Sequence, residues 1–217
     1  MASGDLALKA HVEEQLSLDP VLDAASIGVS VSDAVVTLHG NVSSFWQRHV
    51  VEEIVMRIHG VRALVNELEV RLPSDSERRD EDIARTAASV LLWHSAIPED
   101  RIKIEVSSGW ITLRGEVDWH YQRVAAERAV RDMMGVRGVS NQITVANKAM
   151  KAEIRGRIHE ALKRNAIMTA QGVKVEVEGD KAVLSGTVQT LERRMDAERA
   201  AWNVPGIARV ENKIRVA

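Results

Sequence analysis

The chain repeats itself three times in a fixed register, and that repeat constrains its fold more than any single motif could. Gly40, within Val35-Val36-Thr37-Leu38-His39-Gly40-Asn41-Val42, is matched by Gly115 within Trp110-Ile111-Thr112-Leu113-Arg114-Gly115-Glu116-Val117. It is matched again by Gly186 within Ala182-Val183-Leu184-Ser185-Gly186-Thr187-Val188. Each stands 20 residues before a second glycine (Gly60, Gly135, Gly206) and 26 before an asparagine (Asn66, Asn141, Asn212). The copies are offset by 75 and then 71 residues. One small module is therefore used three times. A unit of roughly 70 residues buries a modest share of its surface. Packing between modules, or against a partner, is expected.

An ungapped frame aligns Leu8–Val70, Ile83–Val145 and Ile154–Val216. At its front, Leu8, Val12 and Leu16 recur at helical spacing, as do Ile83, Ala87, Val90 and Leu91, and Ile154, Ile158, Ala161 and Leu162. Alternation follows in Ile27-Val29-Val31, Ile102-Ile104-Val106 and Val173-Val175-Val177, the mark of a strand with one inward face. Short turns lead into a second strand that carries the first glycine inward. A helix crossing close above is expected to exclude a side chain there. Ser44, Asp118 and Thr190 stand where an N-cap is needed. A second helix then buries Val51, Ile54, Val55 and Ile58 and their counterparts, and Gly60, Gly135 and Gly206 are expected to cap its end. A last strand closes each copy.

The predicted fold class is α+β: three tandem αββαβ two-layer modules, each a three-stranded mixed sheet covered by two helices. The expected boundaries are 1–72, 79–147 and 149–217. Arg71–Asp82 and Ala146–Glu153 join them, links short enough to favour a compact arrangement.

The chain has no cysteine, which removes disulfides, thiolate metal sites and thiol nucleophiles. No stretch approaches the roughly 18 apolar residues of a membrane span. The start, Met1-Ala2-Ser3-Gly4-Asp5-Leu6, shows no signal-peptide pattern. The expected location is cytoplasmic, with the periplasm as the alternative if a leader was removed. The net charge of −2 hides a gradient: −5 over residues 1–73, −2 over 74–147 and +5 over 148–217.

The element order, the hydrophobic-x-Gly-x-Val strand and the ending Gly-Val-x-x-Val-x-Asn-x-Ile/Leu-x-Val together resemble the BON domain. Its clearest copies here are Gly135–Val145 and Gly206–Val216. The domain is the module of bacterial osmotically inducible periplasmic proteins and related envelope proteins. The resemblance implies a non-enzymatic protein, with binding to phospholipid or membrane surfaces, a stress response, and interaction or chaperone-like roles.

Other constellations yield less. Arg48/Glu52, Arg123/Glu127 and Arg194/Glu198 recur at i, i+4 on the second helix, which reads as a helix-surface ion pair with a structural role. The three asparagines read as partners of local backbone rather than catalytic amides. Seven histidines form no metal-ligand spacing and do not recur. No catalytic residue, metal or cofactor is expected. Phe45-Trp46 and Trp119-Tyr121 fall at the start of the second helix, and Trp93 at the end of a first helix. Their reading is divided between packing and an exposed apolar rim.

Lys148, Lys151, Arg155, Arg157, Lys163 and Arg164 gather on or beside the first helix of module three. A basic amphipathic helix suits an anionic lipid surface. Nucleic acid is not expected at a pI of about 6.4. The candidate lipid- or anion-binding set is therefore Lys151, Arg155, Arg157, Lys163 and Arg164, with Trp93 as apolar anchor. The expected partner is an anionic phospholipid surface or a protein. The alternative is an assembly module that forms a homo-oligomer or scaffolds other proteins.

Overall fold

A computed structural model describes residues 2–146, 173–178, 181–202, 204, 207 and 209–217. Module one runs α1 (Ala2–Ser17), β1 (Ile27–Ser32), β2 (Val35–Val42), α2 (Phe45–Arg57) and β3 (Ala63–Val70). Module two runs α3 (Asp80–Trp93), β4 (Ile102–Ser107), β5 (Trp110–Val117), α4 (His120–Arg131) and β6 (Gly138–Val145). Module three shows β7 (Val173–Glu178), β8 (Lys181–Val188), α5 (Leu191–Trp202) and β9 (Arg209–Val216). The first helix expected there lies outside the described residues, as does Gly206. The protein is α+β, with three separate three-stranded sheets. In each, the middle strand pairs antiparallel with the first and parallel with the last.

The period-2 pattern decides which face is buried. Val36, Leu38 and Val42 point into the module-one core beside Val12, Leu16, Val51 and Val55. Ile111, Leu113 and Val117 do the same against Ile83, Ala87, Leu91, Ala126 and Val130. These two cores are thus closed by both helices on one face of the sheet, and the opposite face stays open.

The hairpins of modules one and two are type I′. Asp33 and Ala34 have φ of 53° and 63°, and Ser108 and Gly109 have 52° and 78°. Non-glycine residues are held in this left-handed region by a clamp from the first helix. Asp5 accepts hydrogen bonds from the N–H groups of Asp33 and Ala34 at 3.1 Å each. Asp80 accepts those of Ser108 and Gly109 at 2.7 and 2.8 Å. In the third copy the same register holds Lys151.

Three sequence expectations are corrected. No long helix supplies the atoms nearest Gly40 or Gly115. A Cβ on Gly40 or Gly115 would instead run into the carbonyl oxygen of Ser26 or Arg101, the last residue of the short 3-10 turn that leads into β1 or β4. Gly60 and Gly135 do not cap their helices directly. They take φ of 90° and 89° one turn later, third in the turns closed by Val61 N–H to Ile58 O and Val136 N–H to Met133 O. Ser44 and Thr190 do cap, accepting from the N–H groups of Gln47 and Arg193. Asp118 does not: α4 begins one residue later, and the Gln122 side chain accepts from both Asp118 and Trp119 N–H.

Candidate functional site

The recurrent polar residues come together in every module, but not as the ion pair the spacing suggested. Arg48 and Glu52 each turn to Asn66 on β3 instead. The Asn66 amide donates to Glu52 Oε1 at 2.7 Å, and Arg48 donates to the Asn66 carbonyl at 3.1 Å. Leu68 N–H donates to Asn66 Oδ1 at 3.0 Å. Module two repeats the set: Asn141 donates to Glu127 and to the Arg123 carbonyl, and Ile143 N–H donates to Asn141. In module three Asn212 donates to Glu198 at 2.8 Å, and Ile214 N–H donates to Asn212. The trio bolts the second helix to the last strand. Burial pushes the Glu52 carboxyl up, yet hydrogen bonds from His49 and Asn66 and the Arg48 charge hold it below the ordinary carboxylate value. Its contribution to stability is present above the unfolded-state value and is lost as pH falls through the folded one.

The aromatic residues divide. Phe45 of α2 packs against the core of module two, so it is an intermodule contact. Trp110 lies over Gly138, its partner across the β5–β6 ladder. Trp93 is 86% exposed at the last position of α3, and Leu92 beside it is 60% exposed. The next residue, His94, shares a shallow depression with exposed Tyr121 and with Arg128 and Arg199. Among the candidate binding residues, Trp93 is the only one placed; Lys151, Arg155, Arg157, Lys163 and Arg164 lie outside the described residues.

Sequence reasoning missed the junction between modules. Helices α2, α4 and α5 together line a cleft of about 460 Å³. Arg57 of α2 pairs with Glu192 of α5 at 2.9 Å. His120 of α4 stacks on Trp202 of α5, ring centroids 4.6 Å apart and planes 11° from parallel. Five arginines and five carboxylates line the cleft with Met56, Val124 and Met195, but no serine, threonine or lysine. Its charge is balanced, so it selects neither anions nor cations. Among the described residues no group of three or more metal-ligating side chains occurs.

His120 makes this junction pH-sensitive. Burial depresses its pKa and Arg123 on its own helix adds to that, while Glu198 of α5 opposes both. A histidine whose folded pKa lies below its unfolded value stabilises the fold above the unfolded value and loses that contribution as pH falls. Lowering the pH from about 7.5 to about 5.5, across the ordinary histidine range, is therefore expected to lower the calorimetric unfolding midpoint. The drop should be smaller in His120→Phe, which keeps the ring stack but cannot titrate.

No described helix is long and apolar enough to cross a membrane. Osmotically-inducible protein Y of Escherichia coli (strain K12) is 28% identical over 143 residues, which make up 64% of this chain and 71% of that protein. Among solved structures, the C-terminal domain of CdsD, the structural protein of the type III secretion system of Chlamydia trachomatis, aligns at a TM-score of 0.27 and 13% identity, covering 97% of both chains. The periplasmic domain of the type III secretion inner membrane protein PrgH from S. typhimurium aligns at 0.21 and 10%, covering 89% of this chain and 95% of that one. Neither likeness is high enough to bear on this protein. The sequence profile of the BON domain matches residues 4–71, 79–147 and 151–217, nearly the whole chain. With three copies of its repeating unit, this chain belongs to the BON domain family.

Proposed function

We propose that this is a non-enzymatic, stress-associated binding protein that contacts anionic phospholipid surfaces or protein partners, in the periplasm rather than the cytoplasm. The observation that carries the reading is the exposed Leu92-Trp93 step at the end of α3, whose following residue, His94, borders a depression with Tyr121, Arg128 and Arg199. A large exposed apolar ring at a helix end suits an interface that is apolar on one side and wet on the other. Membership of a family not known as enzymes supports the absence of catalysis. The name of the E. coli relative supports the link to osmotic stress, and the envelope setting implied by the family favours the periplasm. The modules, at 1–72, 79–147 and 149–217, would divide the work. Lys151, Arg155, Arg157, Lys163 and Arg164 of the third would supply charge, and Trp93 of the second an apolar anchor.

Sedimentation with vesicles tests this. Salt-sensitive binding to phosphatidylglycerol vesicles over phosphatidylcholine ones is expected, weakened about tenfold by Trp93→Ala, the equivalent of losing one partly buried aromatic. Equal binding to both vesicle types would end the lipid version. The assembly reading is weaker on one observation. Modules one and three already meet within one chain at Arg57–Glu192, so the −5 and +5 ends are not held apart for a second copy.

A further inference from the structure

The depression that His94 borders differs in charge from the cleft between the three helices. It measures about 440 Å³, within the range of small-molecule sites. Arg128, Arg199, His94, His120 and the exposed Tyr121 line its polar side, and no described carboxylate does. Val124, Ala125 and Ala129 line its apolar side. The two arginines come from different modules and line the neighbouring cleft as well.

Two guanidinium groups thus share a small space with no counter-charge in its lining, an arrangement that an anion would stabilise. The carboxylates of the cleft are engaged elsewhere. Glu127 and Glu198 accept from Asn141 and Asn212, and Asp196 pairs with Arg199 at 3.3 Å. Arg128 is exposed and makes no hydrogen bond or ion pair with any described residue. The set does not repeat. In the fixed register Glu53 stands for Arg128 in module one, where it pairs with His49 and Arg57. Tyr121 answers to Trp46 and Glu192, and His94 to Asp19 and Asn165. The module fold therefore does not require these residues.

We propose that this depression binds a phosphate ester, with the phosphate on Arg128 and Arg199 and the organic part against Tyr121, Val124 and Ala125. A guanidinium presents paired donors that match two phosphate oxygens, and the phenol of Tyr121 adds another. The apolar side gains nothing from a bare ion and suits the carbon body of an ester. The inference deepens the binding function above by naming a ligand class, and it rests on the membrane reading only where a lipid carries the ester.

The test titrates the full chain with phenyl phosphate at fixed ionic strength and without lipid, followed by amide shifts in nuclear magnetic resonance. Saturable shifts are expected at His94, Tyr121 and Arg128, with inorganic phosphate binding several-fold more weakly. Arg128→Gln, at an exposed position that leaves the core intact, should weaken phenyl phosphate about tenfold, the equivalent of one charge-assisted contact. Arg62→Gln, at an exposed arginine in module one, should change it less than about twofold. No saturable shift at these residues overturns the proposal. Equal weakening by Arg62→Gln also overturns it, since any surface cation would then serve. Equal affinity for inorganic phosphate overturns the ester assignment. Phosphatidylglycerol vesicles then distinguish the source. Vesicle binding weakened by Arg128→Gln and displaced by phenyl phosphate assigns the site to a lipid headgroup. Vesicle binding unchanged by Arg128→Gln, with phenyl phosphate affinity lost, assigns it to a soluble ester. Absence of vesicle binding would end the membrane reading and leave the phenyl phosphate result standing.

Discussion

Gly115→Ala is expected to destabilise module two by about 4 kcal/mol, close to the whole stability of a unit of this size. Two independent causes add. Gly115 has φ of 147°, where an L side chain is strained. A Cβ there would also fall well inside contact distance of the Arg101 carbonyl oxygen. That oxygen belongs to the backbone at the start of β4, so it cannot swing away as a side chain could. Relief would require opening the ladder at Ile102↔Gly115, beside the buried Leu113 and Val117. Calorimetry of the full chain should show an early transition, and hydrogen exchange should place it in β4–β6. Gly4→Ala is the control, since nothing lies within 4 Å of a Cβ at that site. A change below about 1 kcal/mol for Gly115→Ala would show that the hairpin adapts, and this account of the repeated glycine would be wrong.

Asn141→Ala is expected to cost about 3 kcal/mol. The substitution deletes the donor to Glu127 Oε2 at 3.0 Å and to the Arg123 carbonyl at 2.8 Å, and the acceptor of Ile143 N–H at 3.2 Å. A partly buried carboxylate and a strand N–H are left without their partner. Losing a partner is worse than losing a bond, because the orphaned group keeps its desolvation cost. The same change at Asn66 should act in the same direction, since Glu52 and Leu68 stand where Glu127 and Ile143 do. Urea titration followed by circular dichroism reads both. A loss at the level of an exposed helix ion pair, a few tenths of a kcal/mol, would restore the simpler i, i+4 reading.

What the sequence made legible follows from what repeats. The alternation in Ile27-Val29-Val31 and the helical spacing of Val51 and Val55 are local signals, and they place strands, helices and cores correctly. Contacts made with unlike or distant residues left no such signal. The obstacle to a side chain at Gly40 is a backbone carbonyl 14 residues earlier, and backbone atoms have no sequence signature. The helix start at Trp119 depends on Gln122 reaching back, which outweighs the better intrinsic cap at Asp118. The Asp5 and Asp80 clamps do repeat, but they lie just ahead of the aligned frame and lapse to Lys151 in the third copy. Arg57–Glu192 and His120–Trp202 occur once each, between modules, where periodicity is silent. The candidate site shares that limit: sequence placed Trp93 at a helix end, while its 86% exposure comes from the packing of everything else.

The central claim is a division of labour. Residues that repeat hold each module together, and exposed residues that do not repeat bind. One paired measurement separates the two roles: the unfolding midpoint and the phosphatidylglycerol vesicle affinity of Asn141→Ala and Trp93→Ala, each in the full chain and below its own transition. Asn141→Ala should lower the midpoint and leave vesicle affinity within about twofold of the unsubstituted chain. Trp93→Ala should leave the midpoint in place and weaken binding about tenfold. The reverse pattern, with binding lost at Asn141 and kept at Trp93, would make the repeated asparagine a ligand site and contradict the account.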